Sequence, residues 1–244
     1  MGATAIARAR LPAERRFYSG MAVAILVTVF VGFARSFFLR PLFPDHPAPP
    51  EPIFYVHGAV FSAWIALLMV QTRLVASGRT DLHRAFGTFG AALAVTMVAL
   101  GTLAALIAAR RPGGFVGVPV PPLQFLAVPI AGIALFATFV SFAVAQRRNP
   151  QAHKRLMLLA TLTLVTPALA RWPVLGSFGP PAFFGVTDLF LIPLIAWDLR
   201  SRGGLHSATL WGGLALIASQ PLQLAVSGTA AWLAFARWAT GLLG

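Results

Sequence analysis

Apolar residues run along the chain in blocks of about 20, separated by short polar or proline-rich interruptions, with neither strand alternation nor a clear amphipathic stripe inside the blocks. A helix needs about 20 such residues to cross the hydrocarbon of a bilayer. Seven blocks meet or approach that length: 20–39, 53–76, 84–109, 122–145, 154–171, 182–198 and 207–227. An eighth stretch, Thr229 to Leu243, is too short to cross. Its Trp232, Phe235 and Trp238 suit a helix lying in the membrane interface. The pattern therefore predicts an all-α polytopic membrane bundle of about seven transmembrane helices plus a C-terminal interfacial helix. Its segments are a basic N-terminal segment at 1–19, the bundle at 20–228 and the interfacial helix at 229–244.

Composition agrees with lipid as the solvent. The 244 residues are 58% hydrophobic and 10% charged, with a mean hydropathy of +0.79. A soluble domain carries about 25% charged residues, so a water-soluble helical bundle is the weaker alternative. The basic stretch Arg8, Arg10, Arg15 and Arg16 is long, and no small-x-small cleavage site ends the apolar run behind it. The first block is accordingly expected to remain as a helix.

The net charge of +13 comes from basic residues in small clusters between apolar blocks, with no continuous basic face. That pattern excludes nucleic acid as a partner and sets topology instead. With the N-terminus inside, Arg8, Arg10, Arg15, Arg16, Arg79, Arg84, Arg147, Arg148, Lys154, Arg155, Arg200 and Arg202 are cytoplasmic. Only Arg40, Arg110, Arg111, Arg171 and Arg237 are outside. The expected location is the bacterial inner membrane, multi-pass, with the N-terminus in the cytoplasm and lipids as surroundings. Inner connections (76–81, 146–151, 200–204) are short and polar. Outer ones (41–52, 110–122, 172–181) are rich in Pro and Gly, serving as turn punctuation or as stiff covers over the outer mouth.

Soluble-enzyme signatures are absent: there is no phosphate-binding loop, dinucleotide fingerprint, nucleophile elbow or HExxH, and no cysteine. The reading leans away from an enzyme. What remains are polar groups inside apolar blocks, which are costly and mark functional sites by default.

One constellation lies toward the outer face. Asp188 sits about 10 Å into its helix at 1.5 Å per residue, and leaving it charged and unpaired in hydrocarbon would cost about 2.5–3.5 kcal/mol. His57, Gln124, Arg171, Gln220 and Arg35 fall at similar depth. Pro129, Pro167 and Pro221 kink the outer halves and free carbonyls. Two readings follow. In one, these residues line a periplasm-facing pocket for a small anionic or amphiphilic ligand, with Asp188 and His57 exchanging a proton. In the other, Asp188 pairs with Arg171, Arg35 or His57 only to pin helices together.

The second constellation is internal. Three hairpins share a helix opened by histidine: His83, His153 and His206, with Gln71, Asp81 and Asp198 nearby. Two facing imidazoles can ligate haem b, with Arg84 and Arg155 on its propionates, and three can hold a transition metal. The simpler reading is headgroup anchoring of each ring beside a cation. Gly87, Gly90, Ala91 and Gly101, with Gly212 and Gly213, are expected to let helices approach closely.

The stretches 57–90, 152–173 and 187–206 carry a His57…Gln71…Leu82-His83-Arg84…Gly pattern. Over about residues 55–240 the chain resembles a family of small uncharacterised bacterial multi-pass inner-membrane proteins. The resemblance implies that His57, Gln71, His83, His153, Arg171 and Asp188 occupy motif positions, and it transfers no catalytic role. The hairpin-and-histidine layout is also similar, more faintly, to oxidase-assembly membrane proteins and b561-type cytochromes. The latter pair histidines on both sides of the bilayer, and this chain lacks the outer pair.

Overall fold

A computed structural model describes residues 3–46, 49, 51–116, 118, 120–172 and 174–243, with side chains from residue 12 onward. The side chains of Arg8 and Arg10 thus lie outside the described residues. The chain is 82% helical with no strand among the described residues. Its helices are α1 (Ala3–Phe33), α2 (Pro52–Ala76), α3 (Thr80–Arg110), α4 (Pro122–Phe125), α5 (Ala127–Ala145), α6 (Pro150–Thr163), α7 (Thr166–Leu169), α8 (Pro180–Leu189), α9 (Leu191–Arg202), α10 (Ser207–Ser227) and α11 (Ala230–Gly241). The basic N-terminal segment is continuous with the first span, as one helix.

Among the described residues, five helical stretches are long and apolar enough to cross a membrane, or six if α10 and α11, bent by 86°, count together. Of the seven expected blocks, the seventh qualifies only together with α11, and the fifth does not qualify. It is split into α6 and α7, and its first turns carry Gln151, His153, Lys154 and Arg155. Its weak hydropathy has a structural reason. From Leu158 to Thr163 every residue of α6 is buried, because α5 and α10 pack around it. A helix solvated by protein need not be as apolar as one solvated by lipid.

The outward faces are apolar: Val95 is 73% and Trp211 68% exposed, as expected where acyl chains are the solvent. The core joins Trp64 of α2, Met97 of α3, Phe136 and Phe139 of α5, and Leu159 and Leu162 of α6. Trp64 donates its indole N–H to Thr161 Oγ1 at 3.2 Å, so the buried ring is satisfied. Small residues work where two helices meet: a side chain at Gly212 would strike Leu159, and one at Gly90 would crowd Leu67. Gly87 has nothing near it. At Gly32 an added Cβ would sit 2.8 Å from Ala168 Cα and run into the Ala168 carbonyl, so α1 and α7 touch backbone to backbone.

Helix breaks cluster on the side opposite the N-terminus. The end of α1 widens into a π-turn over Ala34–Phe38. The α4–α5 joint falls at Leu126, the α6–α7 joint at Leu164–Val165 and the α8–α9 joint at Phe190. Pro167 cannot donate to Thr163, and Leu164 and Val165 close instead on Thr161 and Leu162 in tighter turns. Pro193 accounts for the break before α9 in the same way, since it cannot donate to Leu189. Pro221 leaves α10 unbroken.

At the other end the N-terminal part of α1 docks on three helices. Arg15 Nη1 donates to Ala76 O at 2.9 Å, Phe17 stacks on Trp197 at 4.8 Å, and Glu14 pairs with Lys154. Beneath them lies Arg155, fully buried, in an ion pair with the equally buried Asp198. Its Nε donates to Asp198 Oδ1 at 3.0 Å and its Nη1 to the Gln151 carbonyl and Oε1, both at 2.8 Å. Asp198 Oδ2 accepts from Thr209 Oγ1 at 2.6 Å and from the His206 N–H at 3.0 Å. One carboxylate thereby ties α6, α9 and α10.

Removing one partner leaves an uncompensated buried charge, which costs about 3–5 kcal/mol, whereas replacing both with apolar groups is often neutral. Asp198→Asn is therefore expected to lower the melting temperature of the detergent-solubilised protein sharply. The double variant Arg155→Met/Asp198→Leu should recover most of that loss, and a double variant as unstable as the single one would refute this account.

Candidate functional site

The outer polar residues fall into two groups. On α8 and α10, Gln220 Nε2 donates to Asp188 Oδ1 at 2.7 Å, Gln220 being buried and Asp188 half-buried. No ion pair joins Asp188 to Arg171, Arg35 or His57 among the described residues. The partner that the acid requires is thus an amide, which a carboxylate accepts from without demanding a second buried charge.

The other group gathers around the contact of α1, α2 and α7. Arg171 follows α7, donates Nη1 to Pro167 O at 2.7 Å, and lies 4.7 Å above the Phe33 ring. That one bond uses a carbonyl at the helix break, and the residue as a whole is exposed. Its charge reaches the His57 ring. His57 is half-buried and stacked on Phe61 at 4.0 Å. Its Nδ1 is buried without a hydrogen-bond partner, and such an atom normally has one. Arg35, on the π-turn, is exposed and lies 5.6 Å from the Phe43 ring. Gln124 is half-buried on α4, and its amide has no partner among the described residues.

Two clefts open nearby. One of about 330 Å³ is lined by Trp172, Val174, Leu175 and Val186, and begins one residue after Arg171. The other, of about 470 Å³, is lined by Ile107, Arg110, Arg111, Pro112 and Leu243. Arg111 there faces Glu51 at 3.8 Å and the Phe54 ring at 5.0 Å. Phe115, in the proline-rich connection after α3, packs edge-on against Phe125 of α4 at 4.9 Å.

The inner histidines separate likewise. No three His, Asp or Glu side chains gather as a metal-binding group among the described residues. His206 is buried and caps α10, accepting from the Ala208 N–H on Nδ1 at 3.0 Å. His83 and His153 do meet, with ring centroids 6.2 Å apart and planes at 82°. Arg155, expected at haem propionates, is instead consumed by Asp198. Asp188 is expected from the sequence to be the one acid inside a span, with Asp198 only near the inner histidines; the structure makes Asp198 the more deeply buried and pairs it with Arg155. The available signal was an arginine and an aspartate each within a few residues of uninterrupted apolar chain.

No family model, curated protein or solved structure matches the chain.

Burial, with the charges of Arg155 and Arg202, holds His206 below its ordinary value of 6.5, and Asp198 pulls only weakly the other way. The folded ring is neutral, as its capping lone pair requires. Below about pH 6.5 the unfolded chain binds a proton that the folded chain refuses. Stability therefore falls as pH drops from 7 toward 5, by at most about 1.4 kcal/mol per pH unit for one group. His206→Asn keeps a capping acceptor and should flatten that slope in melts recorded across this range. An unchanged slope would assign the acid sensitivity elsewhere.

Proposed function

We propose that this is a multi-pass protein of the bacterial inner membrane that binds a small anionic or amphiphilic ligand in the outer half of its bundle. It is placed with the multi-pass inner-membrane proteins that its His57…Gln71…Leu82-His83-Arg84 motif resembles. The chain crosses seven times, with α6–α7 counted as a crossing sheltered by its neighbours, and α11 lies along the outer interface. The N-terminus is cytoplasmic, on the side where basic residues accumulate.

The observation that carries the reading is the pair His57 and Arg171. A buried ring nitrogen without a partner feels the charge of a guanidinium that has one hydrogen bond, to a carbonyl beside a helix break. Broken helices expose backbone groups that membrane proteins tolerate where they line a cavity or a binding site. Arg171 supplies charge and paired donors for a carboxylate or phosphate, and His57 supplies a ring nitrogen. The apolar cleft that starts at Trp172 suits an acyl or aryl portion. Asp188 is satisfied by Gln220, so in this reading it holds α8 on α10 while Arg171 and His57 meet the ligand. Gln124 and Arg35 flank the same half. The reading is a binding or permeation role, without bond-breaking chemistry.

The test is thermal unfolding of the purified protein with inorganic phosphate and with carboxylates from acetate to decanoate. A ligand at 100-fold its Kd stabilises by about 2.7 kcal/mol, which for a chain of this size is a rise of about 5–10 °C. Arg171→Gln and His57→Ala should each abolish the rise, while Asp188→Asn should lower the baseline and keep it. A rise that survives in the Arg171→Gln/His57→Ala double variant would sink the proposal.

Orientation is checked separately, helped by the absence of native cysteine. In intact spheroplasts a membrane-impermeant maleimide should label Ser177→Cys and spare Ser77→Cys, both exposed positions. The reverse pattern would invert the topology.

A further inference from the structure

The opposite end of the bundle holds an arrangement that the anion site does not use. His83 opens α3 and His153 opens α6. Gln71 of α2 sits beside His83 with both ends of its amide engaged. Its Nε2 donates to the His83 carbonyl at 3.2 Å, so its Oε1, 2.7 Å from His83 Nδ1, accepts. The proton of the neutral His83 ring is therefore on Nδ1. His153 Nδ1 lies 2.8 Å from the Ala143 carbonyl, and a carbonyl can only accept, so this ring also carries its proton on Nδ1. Both Nε2 atoms are left with their lone pairs. Neither is among the buried polar atoms lacking a partner, so both are open to a ligand.

An imidazole whose Nδ1–H is held by a carbonyl or amide oxygen, with Nε2 bare, is the arrangement of a metal-binding histidine, in which the outer hydrogen bond fixes the tautomer and aims the ring. Two such rings bonded on opposite sides of one metal, at about 2.0 Å per metal–nitrogen bond, have centroids roughly 6 Å apart. The observed separation is 6.2 Å. Headgroup anchoring alone would not call for two locked tautomers at that spacing.

The identity of the group follows from what surrounds the pair. No third histidine or carboxylate joins it among the described residues, so a zinc ion seeking four protein ligands is not served. Arg84 brings positive charge to the His83 ring, while Lys154, next to His153, is already paired with Glu14. A bare cation is disfavoured there and a group bearing carboxylates is favoured. Phe86, one turn beyond His83, is 44% exposed, an apolar surface on the same side of α3 as the histidine. Helices α3 and α6 each pack on α5 rather than broadly on each other, leaving their histidine ends to be bridged. We propose that His83 and His153 are the two axial ligands of one iron porphyrin with free carboxylates, Arg84 pairing with a carboxylate. Two dative bonds from Nε2 to iron form, and no electron changes hands in binding. The site is independent of the outer pair, and either can fail alone.

The experiment uses the full chain in detergent, purified from haem-replete cells or titrated with ferric haem. One haem per chain is expected, with the sharp visible bands of a six-coordinate low-spin iron after reduction. His83→Ala and His153→Ala should each remove those bands. Gln71→Leu should weaken haem binding by about 10–100-fold, the effect of losing an outer hydrogen bond, and His206→Asn should change nothing. If the alanine variants do not fold, His83→Met and His153→Met decide, since a thioether keeps bulk and ligates iron with a shifted spectrum. A folded wild-type chain that binds no haem overturns the proposal. So do low-spin bands that survive in the His83→Ala/His153→Ala double variant, and copper binding without haem.

Discussion

The carboxylate of Asp198 is the point on which the inner half of this bundle is assembled. Burying an arginine and an aspartate together is expensive, and the attraction between them repays that cost only when the remaining donors and lone pairs are also satisfied. Here they are: the guanidinium spends Nε and Nη2 on the acid and Nη1 on Gln151, and the acid accepts in addition from Thr209 and His206. Three helices meet at one group whose hydrogen-bond geometry leaves little freedom in their rotation. That rotation determines where α6 presents His153, two residues before Arg155. It also sets how α10 delivers Gln220 to Asp188, eleven residues beyond Thr209 along the same rod.

The membrane character and most helix positions were legible because the length requirement of a bilayer acts on local sequence. Blocks of about 20 apolar residues appear as helix, although the first helix begins at Ala3 and the fourth, fifth and sixth blocks are each broken in two. Which way each helix faces was not legible. Protein and lipid are both apolar, so the stripe that betrays the inner face of a helix in water is faint. Asp188 shows the difference. Its depth could be read and its need for a partner argued, but an amide on α10 competes with three charged residues in a way only tertiary structure resolves. The breaks were half legible. Pro167 marks a real interruption and Pro221 does not, although a proline alone reads the same in both places. The π-turn at Ala34–Phe38 contains no proline and leaves no mark in composition.

The two ends of the bundle are chemically unlike. The end with the helix breaks carries an exposed guanidinium and an unpartnered imidazole nitrogen. The opposite end combines continuous helix starts with imidazoles whose protons are already assigned by neighbouring oxygens. The histidines, similar when read along the chain, thus divide by the company of their Nδ1 atoms: unpartnered at His57, donating at His83 and His153, and accepting at His206.

The central position of α6 carries a consequence for biogenesis. A segment opening with Gln151, His153, Lys154 and Arg155 is a poor substrate for insertion on its own, since the translocon partitions segments by their individual apolarity. The carboxylate that neutralises Arg155 emerges from the ribosome 43 residues later, and the Thr209 hydroxyl later still. The partners that satisfy Arg155 are thus complete only once α9 and α10 have been made, so the seat of α6 is finished last although α6 itself is central.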